Sequence, residues 1–292
     1  RVADLLNLDV EVLFYDTTSL HFEIDQDDEG SGPEDLVHGS LAAGRKPYKA
    51  PRKRGLSKNG RSDAPQIVVG MAVTRGGFPV RHWVVPGTTV DVSTVAQVKR
   101  DLRDWQLTRC LFVGDAGMVS AANFKALAAG GGKYLMCMPM RRGDALTEQV
   151  LSRAGRYRTV NERLQIKEVV IGDGERRLRY VVCFNPEEAQ RQQAHRRHLL
   201  GLLEAELAAM GDAAQDVQSK RVAALRSSSR WGKYLTLGAK GLQLDAKAIK
   251  AAEHYDGKFV VHGNDDTLSA EDMALGYKQM IRVEQAWRDM KS

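Results

Sequence analysis

The chain of 292 residues is 43% apolar and 27% charged, and its 43 Lys and Arg against 37 Asp and Glu give a net charge of +6. This balance excludes a chain too polar to bury a core, and the length allows one large domain or two ordinary ones. No apolar segment approaches the ~20 residues that span a bilayer, which excludes a helical membrane protein, while the positive excess permits a polyanionic partner without demanding one.

The chain opens on "RVADLL", with neither an initiator Met nor a signal-peptide pattern, as expected of a trimmed piece of a longer protein. "EVLFYD", Glu11 to Asp16, is a short β-prone run that stops at an aspartate. From Glu23 to Arg61 runs a polar tract with segregated charge, acidic in "EIDQDDEGSGPED" and basic in "GRKPYKAPRKRGLSKNGR". Its length, Gly and Pro predict a mobile loop over 23–62. "QIVVGMAV" and "FPVRHWVV", either side of "TRGG", read as a β-hairpin. "DVSTVAQVKRDLRDW" carries Val92, Val95, Val98 and Leu102 at helical spacing, with Asp91 as its N-cap. "CLFVGD" is a buried strand stopping at Asp115, "MVSAANFKALAAG" a helix ended by Gly130, and "KYLMCMPM" a further strand. This order predicts a mixed α/β sheet with helices packed on it.

After Arg141 the texture changes. "YRTVNERLQIKEVVIGDGERRLRYVVCF" alternates charged and apolar residues across "GDGE", which predicts an exposed antiparallel hairpin. Asn185 to Arg226 reads as one long helix opened by Pro186. "KFVVHGN" is a short strand, and a closing helix follows with Ser269 and Asp272 at capping-box spacing. The expected organisation is a first core segment over 1–140, an insertion over 141–250 built of a hairpin and a long helix, and a final core strand and helix over 251–292. Cys110, Cys137 and Cys183 each sit in an apolar run without metal-ligand spacing, as buried thiols in a reducing cytosol do.

Asp16 and Asp115 each end an apolar strand and precede small or turn-forming residues, "TTS" and "AGM". Ligand sites in α/β sheets gather beyond the carboxyl ends of parallel strands. If the two strands are neighbours, two carboxylates face each other there, and a divalent cation relieves their repulsion. Hard oxygen donors select Mg²⁺ or Mn²⁺ over zinc. Taken singly, each aspartate also reads as a turn or cap residue. In the closing helix Tyr277, Met280, Glu284, Trp287 and Lys291 fall at helical spacing on one mostly apolar face, so Glu284 either pairs with a cation there or is a third metal ligand.

These residues carry a resemblance. "FYDTTSLHFE", "GLSKNGRSDAPQIVVGMAVTRGGFPVRHWVVPGTTVDVST", "FVGDAGMVS", "YDGKFVVHGN" and "YKQMIRVEQAWRDMKS" together resemble, in order, the catalytic domain of a bacterial insertion-sequence DDE transposase, of the cut-and-paste group with a β-rich insertion before the final Glu. The resemblance implies an RNase H-like mixed sheet flanked by helices and interrupted by an α+β insertion. It implies that Asp16, Asp115 and Glu284 hold two Mg²⁺ ions, with Mn²⁺ able to substitute, for phosphodiester cleavage at element ends and 3′-hydroxyl strand transfer into target DNA. It also implies double-stranded DNA as partner, a homodimer in the DNA complex, no membrane, and a cytoplasmic, nucleoid-associated location. The family's pattern of Tyr, Arg, Glu and Lys is met at Tyr277, Glu284 and Lys291, but Met280 occupies the arginine position. Arg282, two residues on, points about 200° around the helix and does not replace it. Lys291, about 10 Å beyond Glu284, suits a phosphate, and Tyr277 either contacts DNA or packs in the core. A related nuclease without strand transfer, and a domesticated or inactive DNA-binding relic, are the alternatives.

The basic tract holds Arg52, Lys53, Arg54, Lys58 and Arg61 among its cations. Beside a nuclease-like triad these are expected to bind phosphate, and Ser57, Lys58 and Arg61 lie inside the family-like motif. The acidic tract either mimics DNA or keeps the loop soluble. His195 and His198 share a helix face but lack a third ligand, and Trp83, Trp105 and Trp231 read as packing residues.

Overall fold

A computed structural model describes residues 11–28, 52–58, 60–104, 110–140, 144–210, 215–238 and 241–291. In chain order the elements are β1 (Val12–His21), β2 (Gln66–Thr74), β3 (Pro79–Pro86), α1 (Asp91–Asp104), β4 (Leu111–Gly114), α2 (Ala121–Ala128), β5 (Lys133–Cys137), α3 (Ala145–Ser152), β6 (Arg158–Asn161), β7 (Leu164–Ile171) and β8 (Leu178–Phe184). They continue with α4 (Pro186–Met210), α5 (Gln215–Ser227), β9 (Leu235–Gly238), β10 (Gly241–Leu244), α6 (Ala246–Glu253), β11 (Lys258–Gly263), α7 (Ala270–Lys278) and α8 (Ile281–Lys291). The chain forms two compact units, one of residues 1–153, 168–181 and 260–292, the other of 154–167 and 182–259.

The first unit is built on a mixed sheet whose strands run β3-β2-β1-β4-β5-β11-β8-β7. β2 pairs antiparallel with β1 and β3, whereas β4 pairs parallel with β1 and β5. That is the RNase H-like order. The β-branched and apolar runs of β1 and β2 are buried nearly throughout, and Gly77 at φ +82° closes the β2–β3 hairpin where an L side chain would be strained. Leu13, Tyr15, Phe112, Tyr134 and Met136 face one side of the sheet, where Val95, Val98 and Leu102 of α1 and Leu127 of α2 complete a buried cluster. The alternate positions face the other side, where Gly276 of α7 packs on Leu135 and α8 packs on β1 and β2. The three cysteines are buried and unpaired as disulfides, and Trp83 lies in the cluster with its Nε1 donating to Asp101 at 2.7 Å.

Two expectations change. The hairpin of β7 and β8 is not exposed: Tyr180, Val181, Val182 and Cys183 are almost wholly buried, because β8 lies between β11 and β7. The segment after Asn185 is helical as expected over Pro186–Met210 and again over Gln215–Ser227, and residues 211–214 lie outside the described part of the chain. The closing helix is instead two. Ser269 and Asp272 do form the capping box of α7, but Gln279 and Met280 separate it from α8.

In the second unit α4, α5 and α6 enclose Leu203, Tyr234 and Ala252, with Trp231 packed against them. Arg196 of α4 and Asp256 form a buried bidentate ion pair, one bond being 2.8 Å. His195 and His198 lie exposed on α4. Trp105 and residues 29–51, with most of the expected mobile loop, lie outside the described residues. Among the described residues no helix is long and apolar enough to cross a membrane.

Candidate active site at the ends of two parallel strands

Parallel pairing places Tyr15 opposite Gly114, so the next residues, Asp16 and Asp115, stand side by side one strand spacing apart, about 5 Å. Because Tyr15 faces the α1 side, alternation turns Asp16 to the face that α7 and α8 cover. Gly114 itself is constrained, since a Cβ there would press on Met136 and Phe112 at 3.0–3.2 Å. Burial raises the Asp16 pKa above the ordinary carboxylate value; Lys58 and the Thr17 backbone N–H pull it down, and the charges of Asp115 and Asp91 push it up.

Two residues not expected there, Thr17 and Asp91, belong to the site. Asp91 is the first residue of α1, and instead of capping it the carboxylate takes the Lys58 ammonium at 2.8 Å and the Thr17 hydroxyl proton in a very short hydrogen bond. Lys58 also donates to the Thr17 carbonyl at 2.7 Å and the Thr17 hydroxyl at 2.6 Å, and lies 3.8 Å from Asp16. The available signal was an aspartate inside the family-like motif, but the start of a helix accounts for an aspartate there equally well.

Tyr277 of α7 donates its hydroxyl proton to Asp115 Oδ1 at 2.9 Å. Desolvation, together with Cys137 and Asp115, raises its pKa, so it stays a neutral donor. Glu284 is exposed, while Val283 and Trp287 form the buried side of α8. The reason lies in the break between the helices, where Gln279, Met280, Arg282 and Val283 each donate to the carbonyl three residues back, at 2.9–3.1 Å. Such 3₁₀-type turns advance each residue about 20° further than an α-helix, about 80° over the break, and rotate Glu284 off the Tyr277 face. Among the described residues no three His, Cys, Asp or Glu side chains lie close enough together to hold a metal. The structure therefore gathers Asp16 and Asp115 but leaves Glu284 apart. The Lys291 side chain lies outside the described part of the chain.

The described part of the 23–62 tract is anchored. Lys53 and Gln66 exchange both backbone hydrogen bonds, at 3.0 and 3.1 Å. Gly87 fits against both, since a Cβ there would sit 2.1 Å from the Gln66 carbonyl oxygen and 2.2 Å from that of Lys53. The opposite charges meet: Arg52 pairs with Asp28 at 2.6 Å, Arg54 with Asp27 at 3.0 Å, and Arg61 with Asp63 at 2.9 Å and Glu23 at 3.3 Å. Ser57 Oγ accepts the Arg61 backbone N–H at 3.0 Å and lies 2.9 Å from His21 Nε2. Beyond Asp115, a cavity of about 490 Å³ opens beside Ala116 and Gly117, lined chiefly by apolar residues such as Phe124, Met138, Met140 and Tyr180.

A family described as "Transposase DDE domain" matches residues 32–292, a span that contains Asp115 and Glu284 and begins after Asp16. Among solved structures the chain is similar to a Mos1 transposase paired-end complex with left transposon end, at 13% identity and a TM-score of 0.23, over 43% of this chain. The chain spans about a third of that protein, 35% of its length. No curated protein matches the sequence.

Proposed function

The chain belongs to the family of transposase DDE domains, and from that premise we propose that it cleaves phosphodiester bonds at element ends and joins the freed 3′-hydroxyl to target DNA. The observation that carries this reading is the register that sets Asp16 beside Asp115 on the helix-covered face. The aspartate pair fits a divalent cation: the donors are oxygens, burial disfavours the Asp16 charge, and Lys58 is already neutralised by Asp91. Glu284 is the third ligand of this proposal, carried by α8 on the same side of β1. Mg²⁺ ions bound there would lower the pKa of an attacking water or hydroxyl and stabilise the leaving oxygen. Tyr277 orients Asp115 by its hydrogen bond. Ser57, Arg61, Arg52, Lys53, Arg54 and Lys291 are the proposed phosphate contacts, whereas Lys58, expected among them, is committed to Thr17 and Asp91, and a homodimer would hold two DNA ends.

The test is Mg²⁺- or Mn²⁺-dependent nicking of DNA carrying the element's ends. Asp16→Ala, Asp115→Ala and Glu284→Ala are each expected to abolish it, and wild-type activity in the Asp115 variant would remove the triad from the mechanism. Pre-cut ends offered with target DNA separate a transposase, which joins them, from a nuclease, which does not. A second reading, a DNA-binding relic, rests on Met280 in the arginine position and on the separation of Glu284 from the aspartates. DNA binding without nicking in the same assays would favour it.

A further inference from the structure

An ammonium group has three N–H donors, and those of Lys58 are all spent, on the Thr17 carbonyl at 2.7 Å, the Thr17 hydroxyl at 2.6 Å and Asp91 Oδ2 at 2.8 Å. The Thr17 hydroxyl donates its own hydrogen bond to the other Asp91 oxygen, which closes a ring of three residues. Asp16 stands outside that ring, its nearest oxygen 3.8 Å from the ammonium and beyond hydrogen-bond reach. Lys58 therefore neighbours two carboxylates and bonds only one. The turn after Asp115 backs this choice: a Cβ at Gly117 would lie 3.2 Å from Asp91 Oδ2, so the turn leaves just enough room for that carboxylate. Lys58 and Asp91 cancel as a pair, which leaves the oxygens of Asp16 and Asp115 as the donors facing a divalent cation. Seated on Asp16 instead, the ammonium would occupy a ligand oxygen and repel any cation a few ångströms away.

On the metal-site reading above, we propose that Asp91 is a positioning residue that holds Lys58 to the side of Asp16 and keeps the Asp16 carboxylate open to a divalent cation. Released by loss of Asp91, the Lys58 ammonium swings to the nearest remaining carboxylate, which is Asp16. The role is distinct from ligation, because removing Lys58 as well should make Asp91 dispensable.

The experiment is Mn²⁺ binding to the full chain without DNA, followed by loss of the free-ion electron paramagnetic resonance signal, with thermal melts to check folding. Wild type binds and Asp16→Asn loses binding. Asp91→Asn is expected to weaken binding about tenfold. The double variant Asp91→Asn with Lys58→Met is expected to recover wild-type affinity, and Lys58→Met alone to bind more tightly. Unchanged binding in Asp91→Asn overturns the proposal, as does a double variant as weak as Asp91→Asn, which would make Asp91 a ligand or a folding element. If Asp91→Asn does not fold, Lys58→Met decides alone: tighter binding sustains the proposal, and equal or weaker binding overturns it. Absence of Mn²⁺ binding in wild type overturns the metal-site reading and this role with it. Binding lost in Asp16→Asn but kept in Asp91→Asn overturns only the role of Asp91.

Discussion

Tyr277 donates a hydrogen bond to Asp115, and a hydrogen bond to a charged group is worth about 1.5–3 kcal/mol. Tyr277→Phe is therefore expected to lower kcat for nicking about tenfold while leaving the metal-free DNA dissociation constant within about twofold; an equal loss of DNA binding would make Tyr277 a DNA contact instead. Elsewhere on the same sheet, His262 Nδ1 must donate to the Arg179 carbonyl at 2.9 Å, so Nε2 of the neutral ring accepts from the Tyr134 hydroxyl at 3.1 Å. Burial lowers its pKa below the ordinary 6.5, only partly opposed by the Arg179 hydrogen bond. The unfolded chain then binds the proton more readily, so the contribution to stability is complete above 6.5 and is lost as the pH falls through 6.5 toward the folded value. Melting temperature is expected to drop from about pH 7.5 to about pH 5.5, and to drop less in His262→Gln. Asp16 and Asp115 were legible in the sequence because an apolar strand ending at an aspartate is a local pattern. The ring around Asp91 was not, since Thr17, Lys58 and Asp91 are joined only by the fold.

Most strands of the main sheet were legible, because β-branched runs bounded by glycine leave little choice of element, whereas the short β9–β10 hairpin was missed. Helix continuity was read poorly. A periodic pattern across Gln279 and Met280 does not reveal that the chain tightens there, so Glu284 leaves the face that spacing assigned to it. The charge-segregated tract is a further case: sequence left open what the acids do, and the described residues pair them with the arginines. DNA must displace those acids before it can use Arg52, Arg54 or Arg61. Asp27→Asn with Asp28→Asn is thus expected to tighten DNA binding about threefold at low salt, while neutralising Arg52, Lys53 and Arg54 weakens it and flattens its salt dependence. A gel-shift titration in increasing salt reads both, and unchanged affinity in the aspartate variant would leave the pairs as surface links only. Packing within α4 gives a stability case. Arg196 is 7% exposed and Asp256 5%, so Arg196→Ala strands a buried carboxylate and is expected to cost about 3–5 kcal/mol in urea unfolding.

At the scale of the whole chain, charge is divided unevenly between the two units. Residues 154–167 and 182–259 hold 16 Lys and Arg against 10 Asp and Glu, which is the entire net +6, whereas the unit with the aspartate pair is balanced. Within the second unit no acid occurs from Val217 to Leu244, a stretch with Lys220, Arg221, Arg226, Arg230 and Lys233. All five are exposed, and Arg230 and Lys233 lie over the rings of Trp231 and Tyr234 at 4.9 and 5.0 Å. An acid-free cationic surface gains most from counterion release on a polyanion, and fixed aromatic partners hold two of its cations at low entropic cost. If DNA runs over this surface, neutralising Lys220, Arg221 and Arg226 with Gln is expected to lower the slope of log affinity against log salt by about 2–3, since each phosphate left without its cation removes about 0.9. Metal-dependent nicking of short duplexes that end near the cleavage point is expected to persist, because those residues lie outside the unit that carries Asp16 and Asp115. A salt slope equal to that of wild type would place the DNA on the first unit alone, and the positive charge of the second would then serve solubility rather than binding.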